Sequence, residues 1–307
     1  MSSDTFPRRS ARPVPLGGAD LSASIRADVT TRTASLVALG VRPTVAVVTA
    51  TDDESTAWYV RTIAATAERT GIHCEIHAFG PEASTNRLRT ALVELSRDPG
   101  VHGIILQTPL PKGTDLAALR DAISPEKDVD GANPVSIGRL LANQRAFAPA
   151  TAQAVMTLLD FHDIELQGKT AVVVGRSIVV GTPVAHLLVQ RNATVTLCHR
   201  HTRDLAASTR TADVVVVAAG VPGLITGEHI ADGAMIIDVG TNAVADGGLV
   251  GDVDADSVAG IAGGLTPVPG GVGPVTTALL LANTVAAAST ADAIDRADRG
   301  DLIGAAG

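Results

Sequence analysis

The sequence predicts an α/β protein of two domains, one of them a doubly wound parallel sheet, with a cleft between the domains. Three observations lead to this prediction. The chain has 307 residues, more than a single hydrophobic core usually serves. Helical and strand-like segments alternate along it, as crossover connections between parallel strands require. The strand-like segments are apolar without an alternating polar face, which is typical of strands buried on both sides.

The composition excludes several classes of protein. Hydrophobic residues make up 46% and charged residues 18% of the chain, which excludes a disordered protein and indicates a large buried core. A net charge of -8 and an aromatic content of 2% oppose binding to nucleic acid, so we expect no such partner. The two cysteines, Cys74 and Cys198, provide neither a disulfide framework nor a zinc site, so we expect no metal and a reducing cytoplasm.

The N-terminal segment shows no pattern of a targeting signal. Arg8, Arg9 and Arg12 are followed by no apolar run of signal-peptide length, so we expect a frayed tail over the first twenty residues. The strongly apolar stretches, such as residues 214–219, are too short to span a bilayer. We therefore expect a cytoplasmic protein without a membrane segment.

The first half of the chain alternates between helical and strand patterns. Apolar residues recur at helical spacing over residues 21–39 and Gly40 ends the run, which predicts a first helix. A β-branched apolar run over residues 44–49 predicts a buried strand. The alternation continues to residue 107, where Pro109 and Pro111 break it. The elements predicted in between are a helix over 55–70, a strand over 74–78, a helix over 86–98 and a strand over 103–107.

The second half follows a break in this pattern between Arg139 and Gln153. A helix predicted over residues 154–162 precedes a series of strands, each followed by a polar or glycine-rich loop, which predicts a Rossmann-like domain. We expect an alanine- and leucine-rich helix over 275–288 to pack back on the first domain, and a mobile tail after it. The predicted domains are therefore residues 1–150 with 275–307, and residues 151–274. The predicted strands of the second domain are 170–174, 194–197, 214–218 and 235–239.

A glycine-flanked turn connects the strand over residues 170–174 to the next helix. Backbone N–H groups and the dipole of that helix favour a phosphate at the turn. The spacing of the glycines is not G-x-G-x-x-G, so the glycines alone are weak evidence for a dinucleotide. The candidate cofactor-binding residues in this turn are Gly175, Arg176, Ser177, Val180 and Gly181.

The end of the following strand indicates which dinucleotide is favoured. A site that prefers NAD usually ends this strand with a carboxylate that binds the ribose hydroxyls. Here residues 198–202 are Cys-His-Arg-His-Thr, and the first carboxylate is Asp204. Arg176 and Arg200 are placed to meet the added phosphate of NADP, since guanidinium groups bind phosphate in a forked geometry. We predict NADP as the cofactor; the alternative is that both arginines are solvated surface cations.

Three loops have patterns too specific for ordinary turns. They are QTPLP over residues 107–111, KDVDG over 127–131 and TPVPGGVGP over 266–274. Residues 59–60 (Tyr-Val), the GRSxxVG turn over 175–181, and the Asp-Val-Gly segment over 238–240 with Asn242 add to them. On these residues the sequence resembles the bifunctional methylenetetrahydrofolate dehydrogenase/methenyltetrahydrofolate cyclohydrolase family, from about residue 16 to residue 288.

The resemblance implies a folate site in the cleft, NADP as the cofactor, and a homodimer built through the cofactor domain. It implies Tyr59 against the pterin or its attached ring, Gln107 beside the reacting carbon, and Asp130 hydrogen-bonded to the pterin. A buried carboxylate accepts from the N–H donors of a pterin, which makes such recognition selective. The alternatives are a core aromatic for Tyr59, a strand-end amide for Gln107 and a turn residue for Asp130. The residues implied to complete the substrate site are Pro269, Gly270, Gly271 and Thr276, and those implied on the cofactor side are Gly240, Thr241 and Arg200.

One departure from the family pattern bears on the chemistry. In the family a lysine follows the tyrosine by four residues on the same helix face, and here that residue is Ile63. The three lysines of the chain, Lys112, Lys127 and Lys169, offer no evident substitute. Hydride transfer mainly requires that folate and nicotinamide be held face to face. Hydrolysis of the methenyl cation needs a general base, whose loss typically costs about 10²- to 10⁴-fold in rate, so we expect weak or absent cyclohydrolase activity.

Two further departures leave other functions open. The family's P-C-T-P-x-G segment is Pro-Ala-Thr-Ala-Gln-Ala over residues 149–154, and its V-G-x-D-P-A-S loop is Thr-Ala-Thr-Asp-Asp-Glu-Ser-Thr over residues 49–56. Either change can reshape the cleft. The alternatives are a fully bifunctional dehydrogenase/cyclohydrolase, an NADP-dependent dehydrogenase of a non-folate substrate, and a catalytically silent protein that binds folate or NADP.

Overall fold

The computed structural model describes the backbone of residues 12–244 and 248–298, with side chains described to residue 293 at the C-terminal end. The chain divides into two compact units. Of the described residues, unit 1 contains 12–20 and 151–275, and unit 2 contains 21–150 and 276–298. The chain thus leaves unit 2 after residue 150 and returns to it at residue 276.

The N-terminal segment belongs to unit 1, whereas the sequence pattern assigns it to the other domain as a frayed tail. Strand β1 (Val14–Pro15) pairs in parallel with β11 (Gly264–Leu265), and Leu16 N donates to Leu265 O at 2.9 Å. The Leu16 side chain is 3% exposed. The prediction was therefore wrong for residues 12–20, because a two-residue strand has no periodicity that a sequence can reveal. Residues 1–11 lie outside the described part of the chain.

Unit 2 is built on a parallel sheet with the strand order β3-β2-β4. The central strand β2 (Thr44–Thr49) is buried along its whole length, which accounts for its uninterrupted run of apolar and threonine residues. β3 (His73–Ala78) and β4 (Gly103–Leu106) pair with it on either side. The three predicted strands are confirmed to within one residue at each end.

The longer helices of unit 2 are also confirmed, to within two residues at each end. Two short helices, α4 (Leu116–Asp121) and α5 (Pro134–Leu141), were not predicted. Asp115 caps α4 by accepting from Ala118 N, and Asn133 caps α5 by accepting from Val135 N. Short helices give a weak periodic pattern, although these caps and the proline that begins α5 were visible signals. The first helices of the chain are α1 (Ala19–Ala38), α2 (Glu54–Arg69), α3 (Thr85–Arg97), α4 (Leu116–Asp121) and α5 (Pro134–Leu141).

The C-terminal helix α10 (Val272–Asp298) is longer than the predicted span of 275–288. It begins inside the glycine-rich loop, so Pro274 stands in its first turn, where a proline needs no N–H partner. By length and composition, residues 272–293 form a helix that could cross a membrane, but 72% of the apolar stretch is buried inside the protein, as in a core helix. The predicted mobile tail is helical up to residue 298, and the rest of it lies outside the described residues.

Unit 1 is built on a six-stranded parallel sheet among the described residues, with the order β1-β11-β8-β7-β5-β6. β6 and β7 lie on opposite sides of β5, so the direction of winding reverses at β5. In open α/β sheets, ligands bind at such a switch point, beyond the carboxyl ends of the strands. The four predicted strands are confirmed to within one residue, as β5 (Thr170–Val174), β6 (Thr194–Cys198), β7 (Val214–Val217) and β8 (Met235–Asp238).

The remaining elements connect these strands. The antiparallel pair of β9 (Asn242–Ala243) and β10 (Leu249–Val250) follows β8 and leads the chain to Asp252. α6 begins four residues before its predicted start at residue 154, where Ala150 N donates to Asp130 O at 3.2 Å. The other helices are α6 (Ala150–Phe161), α7 (Gly181–Gln190), α8 (Leu205–Thr209) and α9 (Ala255–Val258).

Candidate active site

The turn after β5 holds the first group of predicted cofactor residues. Gly175 has φ +123°, and a Cβ atom there would lie 2.1 Å from Ala218 O. A Cβ atom at Gly181 would lie 1.9 Å from Gly175 O. Only glycine fits these two positions, because the loops that follow β5 and β7 touch at the switch point. The structure thus leaves open backbone where a dinucleotide binds in sheets of this kind.

The N-terminus of α7 is suited to an anion. Its N-cap residue is Val180, whose side chain cannot accept a hydrogen bond, so the first N–H groups depend on the turn. Ser177 Oγ accepts from Val180 N at 3.1 Å, and Thr182 Oγ1 donates to Arg176 O at 3.3 Å. Thr182 N also donates within the turn, to Ser177 O at 3.0 Å, and Pro183 has no N–H. The helix dipole still favours an anion at this turn, such as the pyrophosphate of a dinucleotide.

Arg176 and Arg200 lie in adjacent loops, as the sequence analysis expects. Gly175 N donates to Cys198 O at 2.9 Å, which fixes the turn after β5 beside the end of β6. Both arginines are exposed, and Arg200 Nε donates to His201 Nε2 at 3.1 Å. Their guanidinium groups are available to a phosphate on the ribose, which agrees with the predicted preference for NADP.

Gly240 follows β8 and contacts a buried pair of carboxyl groups, Asp238 and Asp252. Asp238 Oδ1 accepts from Gly240 N at 2.9 Å and from Asp252 N at 3.0 Å, and its Oδ2 accepts from Val253 N at 2.9 Å. Burial raises the pKa of Asp238 to about 6, although these hydrogen bonds lower it. A Cβ atom at Gly240 would lie 2.3 Å from Asp252 Oδ1, so glycine is required for packing here. Thr241, the next residue, is exposed.

Asp252 was missed by the sequence analysis. Its Oδ2 accepts from Ala219 N at 2.7 Å and from Gly220 N at 2.8 Å, and its Oδ1 accepts from Asn242 Nδ2 at 2.8 Å. One carboxyl group therefore holds the loops after β7 and β8. The signal available was an aspartate directly after a glycine at a strand end, which is too common to single out.

The predicted loop Pro269–Gly271 follows β11 in unit 1. Gly18 N donates to Gly270 O at 2.9 Å, and Gly270 has φ +111°, a conformation that favours glycine. A Cβ atom at Gly18 would lie 2.1 Å from Gly271 O. Thr276 stands at the start of the C-terminal part of unit 2, so the residues implied to complete the substrate site are divided between the two units.

Tyr59 and Asp130 come together in unit 2. Tyr59 lies on α2, its hydroxyl group hydrogen-bonds to Thr277 of α10, and it interacts electrostatically with Asp130. Burial raises the pKa of the tyrosine. Gly131 forms the turn after Asp130 with φ +64°, and a Cβ atom there would lie 2.5 Å from Pro149 N. The chain direction after Asp130 is thus set by a turn that only glycine can complete.

The carboxyl group of Asp130 has an unusual acidity. Burial raises its pKa to about 7; the neighbouring charge of Asp128 raises it further, and Arg120 opposes the shift. Asp128 itself is engaged, since its carboxylate accepts from Ala132 N at 3.0 Å and from Asn133 N at 2.8 Å. A group that titrates near neutral pH can both donate and accept a proton, which is what acid–base catalysis requires.

Ile63 is completely buried in the apolar core of unit 2, in the cluster against which Tyr59 packs. It provides no polar atom. Lys127 Nζ donates to Leu95 O and Asp98 O, so it is occupied elsewhere. Lys112 is exposed, and Lys169 belongs to unit 1.

Gln107 is partly buried and lies directly after β4, whereas the sequence pattern made it the last residue of that strand. Its backbone N donates to Val48 O at 2.8 Å, and its side-chain Nε2 donates to Thr108 O at 2.8 Å. The described hydrogen bonds do not join Gln107 to Tyr59 or Asp130. In the described part of the chain, no group of three or more His, Cys, Asp or Glu side chains could hold a metal ion.

The fold and these side chains define a class of protein. Unit 1 has a glycine turn suited to an anion at the switch point of a parallel sheet, with two arginines beside it. Unit 2 has a partly buried carboxyl group beside a tyrosine. These are the features of a dinucleotide-dependent oxidoreductase.

Comparison with known proteins identifies the family. Residues 16–130 match the catalytic domain of tetrahydrofolate dehydrogenase/cyclohydrolase, and residues 149–292 match its NAD(P)-binding domain. Bifunctional protein FolD 1 of Rhodococcus jostii is 69% identical over 283 residues, which are 92% of this chain and 95% of that protein. The chain belongs to the tetrahydrofolate dehydrogenase/cyclohydrolase family.

Solved structures agree with this assignment. The methylenetetrahydrofolate dehydrogenase-cyclohydrolase (FolD) of Trypanosoma brucei, complexed with NADP and an inhibitor, has a TM-score of 0.88 and 37% identity, covering 92% of this chain and 99% of that one. The FolD enzyme of Campylobacter jejuni has a TM-score of 0.87 and 37% identity, covering 90% and 99%. The predicted family, the two-domain α/β fold and the NADP cofactor are confirmed.

The expectation of weak cyclohydrolase activity is not supported by these comparisons. The relatives are named bifunctional, and the alternative of a fully bifunctional enzyme fits those names better. The expectation rested on Ile63 alone, and it took no account of the acidity of Asp130, which burial determines and the sequence does not display.

Proposed function

We propose that this protein transfers a hydride from 5,10-methylenetetrahydrofolate to NADP, giving 5,10-methenyltetrahydrofolate and NADPH. The observation that carries the proposal is the partly buried Asp130 with its raised pKa beside Tyr59, in the unit that holds most of the family's catalytic domain. A pterin presents amino and ring N–H donors, for which a buried carboxyl group is a selective partner. Tyr59 adds an aromatic face next to that carboxyl group.

In the hydride step, the main task of the protein is to position the two reactants. The methylene carbon loses one hydrogen with its two electrons and becomes the cationic methenyl carbon, and no proton is released. Bound NADP supplies the carbon that accepts the hydride. The turn from Gly175 to Gly181 and the N-terminus of α7 would hold its pyrophosphate, and Asp130 would orient the pterin.

NADP is proposed over NAD because of the two arginines after β5 and β6. Arg176 and Arg200 are exposed in adjacent loops, and the first carboxylate after β6 is Asp204. Asp204 is engaged in capping α8, where its Oδ1 accepts from Ala207 N at 2.8 Å. This capping role distinguishes Asp204 from the carboxylate of an NAD site, which binds the ribose hydroxyls.

A second activity, hydrolysis of the methenyl cation, follows from the names of the relatives and from Asp130. Water adds to the cationic carbon, the bond from that carbon to N5 breaks, and one proton is released as 10-formyltetrahydrofolate forms. A group that titrates near pH 7 can exchange that proton. We assign this role to Asp130, since position 63 offers no base.

The test is an assay of pure protein with methylenetetrahydrofolate and either NADP or NAD. NADPH formation should be faster than NADH formation, and the methenyl product should be hydrolysed faster than it is spontaneously. Asp130→Asn should slow the hydrolysis more than the hydride step, while Asp121→Asn, an exposed residue of α4, should change neither. No reduction of either cofactor would rule out the dehydrogenase and favour a silent binding protein.

The predicted homodimer and cytoplasmic location stay part of this proposal. β6 is the edge strand of the unit 1 sheet in the described chain, and Leu197 on it and Val189 on α7 are exposed. An edge strand with apolar neighbours is suited to pairing with a second copy. Size-exclusion chromatography with light scattering should give a mass twice that of the chain.

A further inference from the structure

We propose that Asp252 is a positioning residue for the nicotinamide half of NADP. The inference rests on the proposed hydride transfer to NADP, and it concerns a residue that lies outside the motifs that carry the resemblance to the family. Asp252 is completely buried, so it acts on the cofactor through the two loops that its carboxyl group holds.

The order of the strands indicates which half of the cofactor meets these two loops. In the unit 1 sheet, neighbouring strands follow the order β8-β7-β5-β6, and all of them are parallel. Arg176 in the turn after β5 and Arg200 after β6 place the ribose phosphate on the β6 side. A dinucleotide bound across the switch point has its two halves on opposite sides of the central strand. The nicotinamide half therefore extends over the carboxyl ends of β7 and β8.

The loop after β7 is held by Asp252 from its buried side. Asp252 Oδ2 accepts from Ala219 N at 2.7 Å and from Gly220 N at 2.8 Å. Both of these loop residues are exposed, so the loop presents its outer side to a ligand while its N–H groups face the carboxyl group. The loop begins at Ala218, whose carbonyl oxygen would lie 2.1 Å from a Cβ atom at Gly175. It thus continues directly from the turn proposed for the pyrophosphate.

The loop after β8 is held by the other oxygen of the same carboxyl group. Asp252 Oδ1 accepts from Asn242 Nδ2 at 2.8 Å, and the same Nδ2 donates to Val250 O at 3.3 Å. A Cβ atom at Gly240 would lie 2.3 Å from Asp252 Oδ1, so glycine allows the loop to close over the carboxyl group. Thr241 stands between these two contacts and is exposed. Asp252 therefore sets the spacing of the two loops.

Asp252 is itself anchored to the sheet by Asp238, the last residue of β8. Asp238 Oδ1 accepts from Asp252 N at 3.0 Å, and its Oδ2 accepts from Val253 N at 2.9 Å. The backbone of Asp238 is fixed in turn, since Asp238 N donates to Thr266 Oγ1 at 2.7 Å. A Cβ atom at Gly251 would lie 1.9 Å from Asp238 Oδ2, so the segment packs closely on β8. The two loops are thus referred to the rigid sheet through one carboxyl group.

The hydride step makes this arrangement important for function. A misplacement of about 1 Å between reacting groups can cost about 10²-fold in rate. Without Asp252, the N–H groups of Ala219 and Gly220 and the side chain of Asn242 would lose their shared acceptor. Among the described residues, the side-chain hydrogen bonds of Asp252 go to these loops and not to the turn after β5 or the loop after β6. The loss should therefore fall on the nicotinamide half of the cofactor.

The experiment compares two ligands by calorimetric titration: NADP, and 2′,5′-ADP, which is the adenosine half of NADP with its extra phosphate. Asp252→Ala should lower the affinity for NADP at least about tenfold and leave that for 2′,5′-ADP within about twofold of the wild type. The kcat of the hydride step should fall about 10²-fold. Asp254→Ala is the matched control, because Asp254 is exposed and caps α9 by accepting from Ser257 N at 3.1 Å. It removes one hydrogen bond from the same unit and should change neither affinity.

A second variant keeps the inference testable if Asp252→Ala does not fold. Asn242→Ala removes only the hydrogen bond to the loop after β8 and leaves the amides of Ala219 and Gly220 with their acceptor. It should lower the affinity for NADP about threefold, with that for 2′,5′-ADP unchanged. An unchanged affinity for NADP in Asn242→Ala would overturn the inference.

The remaining outcomes separate this inference from the proposed function. If Asp252→Ala binds NADP as Asp254→Ala does, or loses affinity equally for NADP and 2′,5′-ADP, Asp252 maintains the fold of unit 1 and does not position the nicotinamide. If the wild type binds NADP but not 2′,5′-ADP, the two halves are wrongly assigned and the inference alone fails. If the wild type binds no NADP, the proposed function fails and the inference fails with it.

Discussion

At the scale of single residues, Asp130 has opposite consequences for function and for stability. Its pKa in the folded protein is raised from 3.8 to about 7 by burial. A raised pKa favours folding while the group stays protonated, so this stabilisation is present below about pH 4 and is lost as the pH rises to about 7. The group that suits proton exchange therefore weakens the fold at the pH where it works.

Asp130→Asn should remove this penalty. The free energy of unfolding at pH 8 should rise by about 1–3 kcal/mol, since one pKa unit corresponds to about 1.4 kcal/mol and partial solvent contact reduces the effect. Urea unfolding at pH 8 and at pH 4.5 measures it, with Asp121→Asn as the control. The gain should shrink at pH 4.5, and an equal gain at both values would contradict the assignment.

Arg176 and Arg200 should set the choice of dinucleotide. Replacing both with Gln should raise the KM for NADP at least about tenfold and leave that for NAD nearly unchanged, because a charged hydrogen bond to the extra phosphate contributes about 1.5–3 kcal/mol. Arg210→Gln is the control, since Arg210 is exposed at the end of α8, where Nε donates to Ala206 O at 3.3 Å. Equal losses for NADP and NAD would argue against the role.

At the scale of an element, the N-terminus of α7 works only if the turn before it stays closed. Ser177 Oγ accepts from Val180 N, and Gly181 allows the helix to begin directly against Gly175 O. The contact of Gly181 with Gly175 O is made by backbone atoms, which cannot move aside as a flexible side chain can. The turn therefore depends on glycine for space, independently of any family pattern.

Gly181→Ala should open this turn. Its Cβ atom would lie 1.9 Å from Gly175 O. We therefore expect the free energy of unfolding to fall by about 2 kcal/mol or more, and the NADP affinity to fall at least about tenfold. Gly138→Ala is the matched control, since a Cβ atom on α5 meets nothing within 4 Å and should stabilise the helix by about 0.5–1 kcal/mol. Calorimetric titration with NADP and urea unfolding measure both effects. Unchanged NADP binding in Gly181→Ala would exclude the turn as the phosphate site.

At the scale of the whole molecule, unit 1 is completed by the start of the chain. β1 extends the sheet beyond β11, and Leu16 covers Gly264, where a Cβ atom would meet its Cδ1 at 3.1 Å. The loop of Gly270 and Gly271 is held by Gly18 in the same segment. The integrity of the cofactor unit therefore depends on residues that lie about 150 positions before β5 in the chain.

Leu16→Asp should destabilise unit 1 by about 2–4 kcal/mol, because it places an unpaired charge in a buried site. Val14→Asp, at a side chain that is 59% exposed, is the matched control and should cost little. Urea unfolding, with and without NADP, measures the change in the free energy of unfolding. NADP should bind folded unit 1 and so stabilise both the variant and the wild type. Equal effects of the two substitutions would show that the Leu16 side chain contributes nothing to the core of unit 1.

The sequence by itself determined the elements whose patterns are local. The apolar run of β2, the glycine that ends α1 and the turn from Gly175 to Gly181 each depend on neighbouring residues, so their types and bounds could be predicted. Asp130 and Tyr59 were likewise found from motifs. Short elements such as α4 were missed because a few residues give too little periodicity.

Only the tertiary structure decided what depends on distant partners. Asp252 holds two loops through the amides of Ala219 and Gly220, and β1 joins β11 across about 250 residues; hydrogen bonds between remote segments leave no periodic trace in a sequence. The acidity of Asp130 has the same origin, since burial and the charges of Asp128 and Arg120 set it. The sequence suggested the residues of the proposed site, and the environment that folding builds around them decides their protonation and hence the chemistry open to them.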